Sequence, residues 1–233
     1  MLLASALYVY DALILLASNE AVLVRQGRGW RAVFGSFRWR LAGKEPCAPG
    51  LLAPHRPIIR LAWQFAGQPA AVVPGQRVPL PVGLGGLALC AWLSGLTLFV
   101  LLPTSLFLGL GSWVTLGVIS LLYAVNLTAL VLLYRIHRRL QVPAGKYWSV
   151  AFECLVCPPF CINLVRRACE WQGVRDDFLQ ACQALLPPEA LAEVHAQCLL
   201  RIDEQIAFED EQSSRMAALQ RARERFLPQG PQP

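Results

Sequence analysis

The stretch VGLGGLALCAWLSGLTLFVLLPTSLFLGLGSWVTLGVISLLYAVNLTALVLLY, Val82 to Tyr134, decides the fold. It belongs to a run of 57 residues, Val78 to Tyr134, without Asp, Glu, Lys, Arg or His. A water-soluble domain rarely leaves so long a run uncharged, because some of it must face solvent. About 20 apolar residues suffice for a helix to cross a bilayer. Two such helices fit here, Val82–Leu102 and a second within Ser105–Tyr134. Pro103, in the connecting LPTS, suits a tight turn, so residues 82–134 are expected to form a transmembrane helical hairpin.

The two helices carry different faces. Gly83, Gly86, Cys90, Ser94 and Thr97 recur at three- and four-residue steps and make a small-residue stripe, which lets helix backbones approach closely in lipid. Ser112, Thr115, Ile119, Tyr123 and Asn126 share a more polar face on the second helix, and the two faces are expected to pack together. The glycosylation pattern at Asn126 would lie inside a span, so it is discounted.

Composition agrees with a membrane class. Hydrophobic residues make up 55% of the 233 and charged residues 15%, against about a quarter charged in ordinary globular domains. Eight cysteines are too few for a disulfide scaffold. All but two of the 21 basic residues are Arg, a bias that fits a GC-rich bacterial genome.

Residues 1–24, MLLASALYVYDALILLASNEAVLV, read as a further transmembrane helix, interrupted only by Asp11, Asn19 and Glu20. A signal peptide would want a basic start and a small-residue cleavage site, and neither is present. The other alternative is a short helix to Ala17 followed by a strand from Glu20 to Arg25. Orientation follows from charge. Arg25 to Leu80 holds nine basic residues and one acid, Glu45, and RIHRR (Arg135–Arg139) follows the second hairpin helix. Basic flanks stay on the cytoplasmic side. The expected fold is therefore mainly α and integral to a bacterial inner membrane. Three transmembrane helices, N-terminus out and C-terminus in, would carry a small β/loop cytoplasmic segment and a helical cytoplasmic C-terminal part.

Asp11 is the one ionisable residue expected near mid-membrane. A carboxylate there needs a partner or water. A hydrogen bond to Tyr123 or Asn126, pinning the first helix to the hairpin, is favoured over a proton relay, because the other spans offer no titratable group.

The basic cytoplasmic segment, residues 25–81, mixes arginine with tryptophan. RQGRGW (Arg25–Trp30) has the glycines of a turn between two strands, and FRWRL (Phe37–Leu41) alternates at strand period. Six prolines between Pro54 and Pro81 argue against a regular helix. Arg25, Arg28, Trp30, Arg31, Arg38, Trp39, Arg40 and Trp63 are expected at the membrane interface, with Arg135, Arg138 and Arg139 beyond the second hairpin helix. Tryptophan suits headgroup level, and each nearby Arg gains about 1 kcal/mol from anionic lipid. The same composition serves single-stranded nucleic acid, but beside a membrane span that reading is not favoured.

Residues 135–226 read as a cytoplasmic helical region, and residues 227–233 as a disordered tail. PPEALAEVHAQCLLRIDEQIAFEDEQSSRMAALQRARERF reads as one long helix with proline at its entrance. Its charge is segregated: residues 176–214 hold nine acids and one base, Arg201, and four arginines follow. The acidic part could dock on the basic segment of its own chain or on a partner.

Cys154, Cys157, Cys161 and Cys169 cluster in FECLVCPPFCINLVRRAC, where Pro158 and Pro159 break the helix. A cytoplasmic disulfide is disfavoured. The spacing x2, x3, x7 matches neither zinc nor ferredoxin patterns, although His195 and Cys198 share a helix face and could add ligands. A redox Cys-x-x-Cys would want a preceding strand. The cysteines are expected to be buried apolar residues without metal, with Cys169 the most exposed and Arg166 and Arg167 reaching toward headgroups.

No catalytic constellation is complete in this sequence. The expected protein is non-catalytic and needs no cofactor. It would be an accessory, assembly or scaffold subunit that meets anionic lipid headgroups and presents its basic segment and helical tail to a protein partner or a second copy. The alternatives are a metal-binding or thiol-redox protein using the cysteine cluster, and a transport component using Asp11.

Overall fold

A computed structural model of the chain describes residues 2–36, 38–63, 83–172, 177–210 and 213–226. The protein is mainly helical with a few short strands, and it divides into two compact units. Unit 1 comprises Met1–Ile14, Ala48–Ile59 and Leu80–Gly173; unit 2 comprises Leu15–Cys47, Arg60–Pro79 and Val174–Pro233. The proline-rich residues 64–82 and the expected tail 227–233 lie outside the described residues.

Unit 1 is helical apart from its loops and the strand residues Ile14, Ile58 and Ile59. It begins with α1 (Leu2–Ala12). Helix α2 (Gly85–Leu96) passes through a π-helical turn, Thr97–Leu101, into α3 (Leu102–Phe107), giving one continuous helix Gly85–Phe107. Helix α4 (Ser112–Leu140) runs back beside it. Both are long and apolar enough to cross a membrane. The expected turn at LPTS is corrected. Proline lacks an N–H and cannot sit in an ordinary helix interior, but a π turn immediately before it shifts the hydrogen-bond pattern. Pro103 then falls in the first turn of α3, where no N–H is needed. The chain reverses instead around Gly109 and Gly111, whose φ values of 61° and 85° lie in the left-handed region that glycine adopts freely.

The small-residue and polar faces meet in part: Asn126 is buried against the stripe, whereas Ser112, Ile119 and Tyr123 are exposed and the Tyr123 hydroxyl reaches the Leu155 carbonyl instead. Ser94 Oγ donates to Asn126 Oδ1 at 2.7 Å, both side chains buried, and Gly86 lies so close to Leu132 that a Cβ there would be 2.9 Å from Cδ1. Gln141 ends α4 in the left-handed conformation, φ 51°. Helix α5 (Ala144–Val156) then turns back along α4. Tyr147 donates to the Leu130 carbonyl at 3.3 Å and Tyr123 to the Leu155 carbonyl at 3.5 Å, which fixes an antiparallel register. A 3-10 turn, Pro158–Asn163, reverses the chain into α6 (Leu164–Gln172). Leu87, Cys90, Leu133, Cys154, Cys161 and Val165 form the centre of one apolar core drawn from these elements.

The expected first span, residues 1–24, is not one helix. Helix α1 has 11 residues, about 16 Å, roughly half the hydrocarbon thickness. From Glu20 the chain is extended, as in the helix-then-strand alternative, but the helix ends at Ala12 rather than Ala17 and Ile14–Leu16 is already a strand. The apolar, β-branched run Ala21–Val24 is buried in a sheet, where its side chains pack better than in lone helical turns.

Unit 2 is built on a hairpin of β2 (Glu20–Gln26) and β3 (Gly29–Phe34), with Ala21 opposite Phe34 and Gln26 opposite Gly29. Gly27, φ 61°, makes the turn that RQGRGW signals. The greater part of β5 (Ile58–Ala62) extends the order to β3-β2-β5, and β1 (Ile14–Leu16) pairs with β4 (Glu45–Cys47). FRWRL does not form a strand: β3 ends at Phe34, and Phe37 lies outside the described residues. Phe34, Trp63 and Phe178 pack ring to ring with centroids 5.6–6.1 Å apart.

Asp177 caps α7 (Phe178–Leu185) by accepting from the Leu179 N–H at 2.9 Å. The expected single long helix is two: α8 (Pro188–Phe208) and α9 (Ser214–Phe226). The signal missed was Ser213, whose hydroxyl accepts from the Arg215 N–H at 3.1 Å and starts a new helix. Leu219 and Ala222 of α9 are buried.

Candidate functional site

Asp11 gathers the densest polar constellation in unit 1. The turn after Pro159 places Asn163, Arg166 and Arg167 at i, i+3 and i+4, one face at the entrance of α6. All three donate to Asp11 near the end of α1: Asn163 Nδ2 to Oδ2 at 2.8 Å, Arg166 Nη2 to Oδ1 at 3.1 Å and Arg167 Nη2 to Oδ1 at 2.9 Å. Arg167 also lies 3.5 Å from Glu153, and Arg166 lies 4.0 Å from Glu170. Asp11 is buried, so its charge is held by neighbours rather than by water. Chemically this is a clamp. Its carboxylate is filled with donors and ties α1 to α6.

The expected partners of Asp11 are corrected. Tyr123 is directed to the Leu155 carbonyl and Asn126 to Ser94. Arg166 and Arg167, expected at headgroups, turn inward to Asp11 because a buried carboxylate beside them offers paired hydrogen bonds. Nothing in the sequence brings residue 11 to residue 166; the tertiary fold does.

The cysteines are placed by the same turn. The Cys154 and Cys161 side chains are both buried in the same apolar core. Cys157 is half-buried. Cys169, expected to be the most exposed, is buried. The reason is helical phase: Leu164, Val165, Ala168 and Cys169 form the inward face of α6. Among the described residues no group of three or more His, Cys, Asp or Glu is arranged to hold a metal ion. His195 and Cys198 belong to unit 2.

Unit 2 contains a buried ion pair that sequence reasoning missed. Arg201 Nη2 lies 2.9 Å from Glu45 Oε2, and both side chains are 2% exposed. The same nitrogen donates to the Gly35 carbonyl at 2.8 Å, and the guanidinium lies over the Phe34 ring at 4.8 Å. Gly35 has to be glycine: a Cβ there would stand 2.4 Å from the Glu45 Cβ. A signal was available. Glu45 is the lone acid of the basic segment and Arg201 the lone base of the acidic stretch, so each is the odd charge among its neighbours. Arg40 meets Glu204 at 2.8 Å, so acidic α8 also pairs with the chain's own basic segment.

The basic residues expected at the interface point to solvent. Arg25, Arg28 and Arg31 are exposed around the β2–β3 turn, and Trp30, opposite Arg25, is half-buried. Arg38 and Trp39 are exposed. Arg135, Arg138 and Arg139 are exposed on the last turns of α4, where basic residues complement the helix dipole. Trp63 is the exception. It is 1% exposed within the aromatic trio, so the expected interface role is corrected to a core role.

The fold and these clusters define a mainly helical, two-unit protein with two span-length apolar helices. The chain matches no family profile, no curated protein and no solved structure.

Proposed function

We propose that this protein is a non-catalytic integral membrane protein of the bacterial inner membrane, an accessory or assembly subunit. Unit 1 would sit in the bilayer, and unit 2 would present the basic hairpin and helical tail to a protein partner or a second copy. One observation carries the reading: only a third of each span-length helix is buried. The core helix of a soluble protein hides most of its surface, whereas here Trp92, Phe107, Trp113, Leu116, Leu127 and Val131 are all exposed. So large a continuous apolar face suits lipid and not water. The Asp11 carboxylate, bonded to Asn163, Arg166 and Arg167 inside unit 1, supports it further, because a charge at membrane depth needs protein partners.

The reading has two spans, α2–α3 and α4, with α1 too short to cross. Arg135, Arg138 and Arg139 favour the cytoplasmic side for the end of α4, which puts Gly109 outside. Unit 2 is covalently continuous with unit 1, so whatever binds it is held at the membrane. Alkaline carbonate extraction and reporter fusions test the proposal. The protein should stay with the membrane pellet, and a reporter at Gly109 should be active outside while one at the C-terminus is active inside. Release by carbonate, or a cytoplasmic Gly109, refutes it.

A further inference from the structure

We propose that Ala144–Gln172 is a re-entrant hairpin: α5 enters the bilayer beside α4, turns at Cys157–Pro159, and α6 leaves on the side of entry. The partner of α5's outer face is then the lipid acyl chain. This inference rests on the membrane reading of unit 1 and goes beyond it, since the sequence places this segment in the cytoplasm.

Four observations carry it. The first is depth. Tyr147 bonds level with Leu130, and Leu155 level with Tyr123. Eight residues of α5 thus run in step with seven of α4, about 11–12 Å of descent. The tip lies roughly 20 Å along α4 from Arg135, past the middle of a hydrocarbon core about 30 Å thick.

The second is the face. Trp148, Phe152, Leu155 and Val156 are exposed, the first two at 65% and 69%. Spaced i, i+4, i+7 and i+8, they form one stripe without charge. Lys146 and Glu153 lie off that stripe, and Glu153 is held by Ser149 at 3.2 Å and by Arg167. Leu127 and Val131 of α4 are exposed on the helix face of Tyr123 and Tyr134, the two residues that contact α5 at Leu155 and Tyr147.

The third is length. Helices α5 and α6 have 13 and 9 residues, about 20 and 14 Å, too short to cross but enough to dip and return. The fourth is the turn. Irregular backbone survives at membrane depth only when protein covers it. Pro159, Cys161, Ile162 and Asn163 in the 3-10 turn are buried. The charges of α6 are neutralised within unit 1 by Asp11, Glu153 and Glu170.

The test places a nitroxide amino acid, introduced without cysteine chemistry, at residue 127, 148, 152, 156 or 208 of the full chain. The protein is reconstituted in phosphatidylcholine–phosphatidylglycerol vesicles. Collision with oxygen reports lipid, and collision with a water-soluble nickel chelate reports solvent. All five positions are exposed, and among the described residues only the Trp148 ring of these side chains meets another ring, that of Tyr147, so the labels disturb little packing. Positions 127, 148, 152 and 156 should be oxygen-rich and nickel-poor, with 156 about 12 Å deeper than 148. Position 208, in unit 2, should be nickel-rich. If 127 reports lipid while 152 and 156 report water, the hairpin is refuted and the membrane reading stands. Equal shallow depth at 148 and 156 also refutes it, since the segment then lies on the surface. Low collision with both reagents at 152 and 156 means that protein covers the face, which refutes it too. If 127 itself reports water, the membrane reading fails and the hairpin with it.

Discussion

Replacing Arg201 with methionine keeps the aliphatic stem and removes the guanidinium. The bonds to Glu45 Oε2 at 2.9 Å and to the Gly35 carbonyl at 2.8 Å are lost. Glu45 is then left as a buried charge without its counter-ion, and its second oxygen, Oε1, already has no hydrogen-bond partner among the described residues. Breaking a buried pair in this way costs about 3–5 kcal/mol. At about 1.4 kcal/mol per factor of ten, that is roughly two to four orders of magnitude in the local opening equilibrium. Removing both charges, Glu45→Leu with Arg201→Met, leaves no orphan and should fall within about 2 kcal/mol of the native protein. Amide hydrogen exchange in β2 and β3 is the local readout, because a single unfolding free energy is ill-defined for a chain of two units. The single variant should exchange at least a hundredfold faster there, and the double variant should recover most of that protection. A single variant within tenfold of the native rate, or a double variant as unprotected as the single, refutes the reasoning.

Asp11→Leu should abolish folded protein by stranding Asn163, Arg166 and Arg167, whereas Asp11→Asn, which still offers an acceptor, should retain part of it; size-exclusion recovery after heating in detergent measures both. Gly35→Ala should destabilise unit 2 by about 1–3 kcal/mol because its methyl meets the Glu45 Cβ. Gly86→Ala should cost less, since it meets only the flexible end of Leu132; thermal scans of the two variants should separate them. Burial pushes the Cys47 and Cys198 thiols from 9.0 to about 11 and about 12, with nearby Arg201 opposing the rise. Their folded values are raised, so their contribution to stability is complete below pH about 9. It is lost as pH rises through 11 to 12, at up to about 1.4 kcal/mol per pH unit per thiol, and near-ultraviolet dichroism of the Phe34–Trp63–Phe178 trio should follow that loss. Maleimide should label Cys157 before Cys154, Cys161 or Cys169, and earlier labelling of Cys169 contradicts its burial in α6.

Local pattern by itself determined much of this protein. An uncharged run longer than two spans permits little except paired apolar helices, and small residues at three- and four-residue steps marked the Ser94–Asn126 contact but not the rest of the expected face, where Ser112, Ile119 and Tyr123 are exposed. RQGRGW specified its hairpin because only glycine takes the turn's left-handed conformation easily. Pro158 and Pro159 ended α5 because they lack the N–H that a helix needs. Tertiary structure decided what local pattern leaves degenerate. Residues 1–24 are apolar enough for a span or for a helix and a strand, and pairing of Ala21–Val24 with β3 settled it. Trp63 looked like an interface residue until Phe34 and Phe178 closed around it. Asp11 with Arg166 and Arg167, and Glu45 with Arg201, are separated by more than 150 residues of chain. An isolated charge in the sequence says only that it needs a partner; which partner it receives depends on the packing of helices and strands that hold no record of one another.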